Sequence, residues 1–96
     1  MHARITQFRI KSDARDAATA KLEELKPQIL ALPGMQRFIQ VVGEDGNGYV
    51  ISLIDDEAVS TPGSEQIKAI WSEFGEHLVA PPEPPVTYSV LANWET

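Results

Sequence analysis

The 96-residue chain has no cysteine. That excludes disulfide staples, thiolate metal sites and cysteine nucleophiles. It has only two histidines, His2 and His77, so imidazole chemistry has two candidate positions and a histidine-rich metal centre has none. No apolar run approaches the ~20 residues needed to span a bilayer. No basic stretch followed by an apolar one precedes the first strand, so a secretory leader is not expected and a cytoplasmic protein is. Positive charge is scarce beyond residue 42. Residues 1–42 carry seven Lys/Arg and four Asp/Glu, whereas residues 43–96 carry Lys68 alone and ten Asp/Glu, giving +3 and −9, which sum to −6. The basic residues Arg4, Arg9, Lys11, Arg15, Lys21, Lys26 and Arg37 are spread singly, and the acidic half repels phosphate, so nucleic acid is not the expected partner. Halves of opposite sign suit the steering of two copies into a two-fold dimer.

What is present is ordinary globular composition, 43% hydrophobic and 23% charged, in a length that fits a single domain over residues 1–96. The chain reads as strand–helix–strand written twice. Strands are expected at 2–10, 35–42, 49–55 and 86–94, with helices near 13–32 and 64–78. This βαββαβ order is the α+β, ferredoxin-like arrangement: an antiparallel sheet with both helices on one face. A domain this short buries only about 60–65% of its extended surface by folding alone. The other sheet face therefore needs a cover, and a second copy of the chain is the natural one.

Local signals fill in the elements. In His2–Ile10, Ala3 and Ile5 share one parity and Phe8 and Ile10 the other. Either a bulge lies near Thr6-Gln7, or the strand is buried on both faces. Ser12 and Asp13 are helix-start residues. Ala14, Ala18, Leu22, Leu25, Ile29 and Leu32 form one helical stripe. Pro27 projects away from that stripe and is expected to kink the helix without breaking it. Leu30 also points away, hinting at an intersubunit contact. Gly43-Glu44-Asp45-Gly46-Asn47-Gly48 is a hairpin signal, not a phosphate cradle, because it lies between two strands. Asp55-Asp56-Glu57 lacks the alternating spacing of a calcium loop and reads as solvated charge. Thr61-Pro62 and Ser64 offer caps for a second helix striped by Ile67, Ile70, Trp71, Phe74 and Leu78. Gly75 breaks good helix sequence, which either a close backbone approach or drift at a tolerant site would explain. Pro81, Pro82, Pro84 and Pro85 make a stiff spacer before a last strand in which Val86, Tyr88, Val90, Ala92 and Trp94 alternate cleanly.

The early strand, the Leu32-Pro33-Gly34-Met35 helix exit, the hairpin into Gly46-Asn47-Gly48-Tyr49-Val50 and the late Pro85-Val86-Thr87-Tyr88-Ser89-Val90 strand resemble the antibiotic biosynthesis monooxygenase-like domains of the dimeric α/β-barrel superfamily. The resemblance covers nearly the whole chain. It implies a homodimer whose two sheets pack face to face as a barrel, with a pocket in each subunit between sheet and helices. It also implies a cofactor-independent monooxygenase acting on a small aromatic or polyketide-type molecule. The heme-degrading branch has an asparagine in its first strand, where this chain has Thr6 and Gln7, and its tryptophan and histidine are farther apart than Trp71 and His77. Heme is therefore not expected, nor any other cofactor or metal.

Cofactor-free oxygenation needs an apolar, aromatic-lined cavity that deprotonates its substrate, whose carbanion then passes an electron to O₂. His77, at the margin of the second stripe, is the candidate general base. Trp71, Phe74, Tyr88 and Trp94 are candidate walls, and Asn93 or Arg37 a candidate oxyanion partner. Each has a plainer role: a dipole-stabilised histidine at a helix C-terminus for His77, and core packing for Trp71 and Phe74. Serine chemistry lacks a Gly-x-Ser-x-Gly elbow. The other class of function is a non-catalytic homodimer that binds a small ligand or serves as an interaction module.

Overall fold

The computed structural model describes residues 1–57 and 65–96. Its elements are β1 (His2–Arg9), α1 (Arg15–Leu30), β2 (Met35–Val42), β3 (Asn47–Ile54), α2 (Glu65–Phe74) and β4 (Val86–Ser89), with a 3₁₀ turn over Gly75–His77. The four strands form one antiparallel sheet in the order β2-β3-β1-β4. This is the ferredoxin-like α+β fold. Among the described residues no helix is long and apolar enough to cross a membrane.

β1 is a central strand, and its register is continuous against β3 and β4, with no bulge at Thr6-Gln7. The mixed parity of its apolar residues therefore means burial on two faces. Phe8 and Ile10 enter the helix-covered core with Ala18, Leu25, Ile29, Phe74 and Leu78. Ala3 and Ile5 take the opposite face, in cross-strand rows that run over the whole sheet. One row is Ile39–Ile51–Ile5–Val86 and the next Arg37–Leu53–Ala3–Tyr88. Among the described residues no helix covers these rows, and Ile39, Val41, Tyr49, Val86 and Tyr88 are exposed.

The sheet's one irregularity lies between Met35 and Arg37 in β2. Two residues there oppose one on β3, so Met35 and Phe38 both turn toward the helices. Without that extra residue strict alternation would send one of them to the open face.

Several boundaries differ from the sequence expectation. α1 starts without a side-chain cap: Ala14 occupies that position, and its N–H donates to the Lys11 carbonyl at 3.0 Å. Helix α1 runs through Pro27 to Leu30. Leu30 is exposed. The proposed caps Thr61, Pro62 and Ser64 lie outside the described residues. β4 ends at Ser89 and not at residue 94: among the described residues the backbone bond beyond it runs from the Val90 N–H to the Met1 carbonyl. Alternation persists in the sequence there, but the β1 edge to which it would pair ends at His2.

The glycines of the hairpin have different duties. Gly46 sits at φ +86°, and the Ile10 carbonyl oxygen lies 2.8 Å from where its Cβ would be. Asp45 accepts bonds from the Asn47 backbone N–H and side-chain amide, both at 3.0 Å. The backbone bond is the larger cause holding the Asp45 carboxyl below its ordinary value. Gly48 lies in β3 beneath an aromatic ring: its Cβ would meet the Val41 carbonyl oxygen and, at 2.6 Å, Cζ of Phe8. Gly48→Ala is expected to destabilise the protein by about 3 kcal/mol through overpacking, read as a lower denaturation midpoint at unchanged m-value. A wild-type midpoint for Gly48→Ala would mean that Phe8 does not rest on this position.

Candidate functional site

The period-two pleat sets the floor of the site. Arg4, Thr6 and Phe8 share the helix-facing side of β1. Opposite them stand Ser52 and Val50 on β3, and next in line Phe38 and Gln40 on β2. The resulting rows are Phe38–Ser52–Arg4–Thr87 and Gln40–Val50–Thr6. Small or polar side chains therefore occupy the middle of the sheet where core residues would otherwise fill the space.

The roof comes from α2. Residues three and four apart on a helix share a face, and Ile67, Ile70, Trp71 and Phe74 follow that spacing. Trp71 is anchored by tilted aromatic contacts to Phe8 and Phe74, at 6.1 and 6.2 Å between ring centres. Such pairs add about 0.5–1.5 kcal/mol beyond burial. Lys21 of α1 ties α2 down by reaching Glu73 at 3.5 Å as well as Glu24 at 3.2 Å. The hydrogen bond that Lys21 donates to the Glu24 carboxylate is the main cause holding its ammonium above the ordinary value.

Between floor and roof lies a cavity of about 300 Å³. Arg4, Thr6, Gln40 and Ser52 supply its polar lining, and Ile29, Phe38, Ile70, Trp71 and Phe74 much of its apolar wall. Thr6 is buried, and the Arg4 Nε is buried within the half-buried side chain. A second, more open cleft of about 750 Å³ lies beyond Trp71, between α2 and the Pro81–Pro85 segment, and shares Arg4, Thr6, Ile67 and Trp71 with the first. Gly75 lines this second cleft, and a Cβ there would meet nothing within 4 Å. No close backbone approach explains that glycine. Among the described residues no group of three or more His, Asp or Glu side chains is placed to hold a metal ion.

The sheet divides the residues singled out from the sequence. Trp71 and Phe74 line the cavity. Tyr88 and Arg37 stand in the open-face row Arg37–Leu53–Ala3–Tyr88, on the far side of the sheet from both. Asn93 is exposed in the tail after β4, where its amide meets the Met1 sulfur at 3.6 Å. Trp94, in the same tail, is exposed as well. His77 lines neither space: it belongs to the 3₁₀ turn, its carbonyl accepts the Lys11 N–H at 2.9 Å, and its Nε2 is 3.7 Å from Glu76. Arg4, Thr6, Gln40 and Ser52 were not singled out from the sequence. Their signal was present in β1, where Arg4 and Thr6 share the parity of Phe8 and Ile10.

No protein-family model matches the chain, and no curated protein is similar enough to count as a relative. Solved structures do match over nearly the full length. A Nitrosomonas europaea protein provisionally named an antibiotic biosynthesis monooxygenase is 17% identical with a TM-score of 0.71, over 96% of this chain and 100% of its own. A Bordetella bronchiseptica protein with the same provisional name reaches a TM-score of 0.78 at 9% identity, over 95% and 97%. Rv0793 of Mycobacterium tuberculosis is 21% identical with a TM-score of 0.66, over 98% of both chains. At these identities the likeness speaks for the fold: the chain has the fold of the antibiotic biosynthesis monooxygenase-like domains.

Because His77 stands outside both spaces, His77→Ala is expected to leave the affinity of any cavity ligand unchanged. Its cost in stability is expected to stay under about 1 kcal/mol. Loss of binding or turnover in a folded His77→Ala protein would restore it as the base.

Proposed function

We propose that the protein is a cofactor-independent monooxygenase-like enzyme acting on a small aromatic or polyketide-type molecule, and that it works as a homodimer. The observation that carries the first half is the cavity between Trp71 and the polar floor, in a fold shared with proteins provisionally named for this activity. Its volume lies at the low end of the ~300–1,000 Å³ range of small-molecule sites. Its walls are apolar and aromatic, and its polar groups converge on one side. In this reading Trp71 and Phe74 bound the ring system, and the floor holds its oxygen. The substrate supplies its own electrons: its anion gives one to O₂, the two radicals combine at carbon, and loss of water turns a CH₂ into a C=O.

A binding-only role is the second reading, and one observation favours it. The described lining of the smaller cavity holds no carboxylate and no imidazole, so it offers no general base. Under this reading the cavity carries a ligand without turning it over. Panels of hydroxylated one- and two-ring aromatics, screened first for binding and then for oxygen uptake, separate the two. Uptake that matches product one to one is expected. Compounds that bind tightly without consuming oxygen would overturn the enzyme reading in favour of the carrier.

The uncovered rows Ile39–Ile51–Ile5–Val86 and Arg37–Leu53–Ala3–Tyr88 support the dimer reading. An apolar sheet face of this extent in water calls for a partner. Tyr88 and Arg37 then serve the interface and not the substrate. Tyr88→Lys is expected to turn a dimer into a monomer in sedimentation experiments by placing a charge on that face. A wild-type protein that sediments as a monomer would sink the dimer proposal.

A further inference from the structure

We propose that the smaller cavity and the cleft beyond Trp71 form one elongated binding site, and that Gly75 sets the length of ligand it takes. With no side chain at Gly75, the outer half stays open to flat molecules longer than two fused rings. The inference rests on the reading of the cavity as a site for small aromatic molecules and extends it. The two spaces share Arg4, Thr6, Ile67 and Trp71, so Trp71 is a partition between them and not an end wall. A cavity of about 150 Å³ takes benzene. The first space, at about 300 Å³, therefore has room for about two rings. A longer flat molecule seated there leaves its far end in the cleft of about 750 Å³.

The helical period explains how one helix serves both spaces. Lys68, Ser72 and Gly75 follow the spacing of a single face and line the cleft, beside the stripe of Ile70 and Phe74 that lines the cavity. One turn after Trp71 a packed helix would carry a large apolar side chain, and this chain carries none. A Cβ at Gly75 would meet nothing within 4 Å. Its φ is not positive, unlike those of Gly34 and Gly46, so the backbone makes no demand for glycine there. The opposite wall is held away from the helix. The Val79 N–H donates to the Arg9 carbonyl at 2.9 Å and the Glu83 N–H to the Gln7 carbonyl at 3.0 Å. These bonds tie the segment to β1 on either side of Pro81 and Pro82, whose rings fix φ. The cleft is therefore preformed, between a stiff proline wall and a helix face left bare at Gly75. Proline rings and the Trp71 indole offer flat apolar surfaces to a fused-ring ligand, and Lys68, Ser72 and Glu83 offer polar groups to its substituents.

The test uses two fused-ring phenols as probes: 2-naphthol, with two rings, and alizarin, with three. Gly75→Leu places a branched side chain in the cleft. It is expected to weaken alizarin binding about tenfold while 2-naphthol stays within about twofold. Gly75→Ala adds one methyl group in open space and is expected to bind both probes as the wild type does. Both variants are expected to keep or raise the denaturation midpoint, because each replaces glycine by a better helix former. Unchanged alizarin affinity in Gly75→Leu, with 2-naphthol still bound, would overturn the role of Gly75 and leave the aromatic cavity standing. An equal loss in Gly75→Ala would overturn it as well, since the glycine would then serve the backbone. Failure of the wild type to bind 2-naphthol would overturn the cavity reading and this inference together. If Gly75→Leu does not fold, competition in the wild type decides. Alizarin is expected to displace 2-naphthol, and simultaneous binding of the two would overturn the joined site.

Discussion

The alternation of β1 is the constraint on which the other features depend. As a central strand it is hydrogen-bonded on both edges, so its register is fixed from two directions and its side chains can only go up or down. Phe8 and Ile10 commit one face to the helices, which commits Arg4 and Thr6 to the same side. Ala3 and Ile5 are thereby committed to the other. A shift of one residue would put Arg4 among the apolar rows of the open face and bury Ile5 under α2. Cavity and uncovered face are two consequences of one pleat.

Much of the architecture was legible because it rests on local chemistry. The order of elements, the two helical stripes (though their last members Leu32 and Leu78 fall beyond the ends of α1 and α2), and the Asp-Gly and Asn-Gly hairpin are short-range signals. The candidate site was legible only on its helix side. Trp71 and Phe74 are placed by the period of α2, which sequence spacing reports directly. Tyr88 and Arg37 were grouped with them by residue type, although which face a strand residue takes depends on registers that form between strands. For Arg37 the difficulty is sharper. The irregularity after Met35 resets the alternation of β2, and nothing in Met35-Gln36-Arg37-Phe38 announces it. Only pairing with Leu53 and Ile54 reveals the extra residue.

The third glycine of the hairpin carries the same lesson. Gly46 is a turn residue and reads as one. Gly48 belongs to the strand, and its missing side chain makes room for Phe8, which lies directly opposite on β1. Phe8 in turn supports Trp71. A residue that looks like part of a turn thus sets, two contacts away, the height of the cavity's aromatic wall.

The cavity exists because the sheet's centre is built from the wrong residues for a core. Strands buried under helices are rich in branched apolar side chains, yet the row beneath α2 is Phe38–Ser52–Arg4–Thr87. A packed interior tolerates few voids, and each void removes dispersion contacts from its walls. A guanidinium at its edge adds a desolvation cost. Neither feature helps the fold, whose packed core gathers around Phe8, Ile10, Leu25, Ile29 and Leu78. Local sequence that works against stability in an otherwise consistent fold is a mark of a functional site. By that criterion the polar floor, more than the aromatic roof, bears the mark of the proposed site: Trp71 and Phe74 would be at home in any core, whereas Arg4, Thr6 and Ser52 would not.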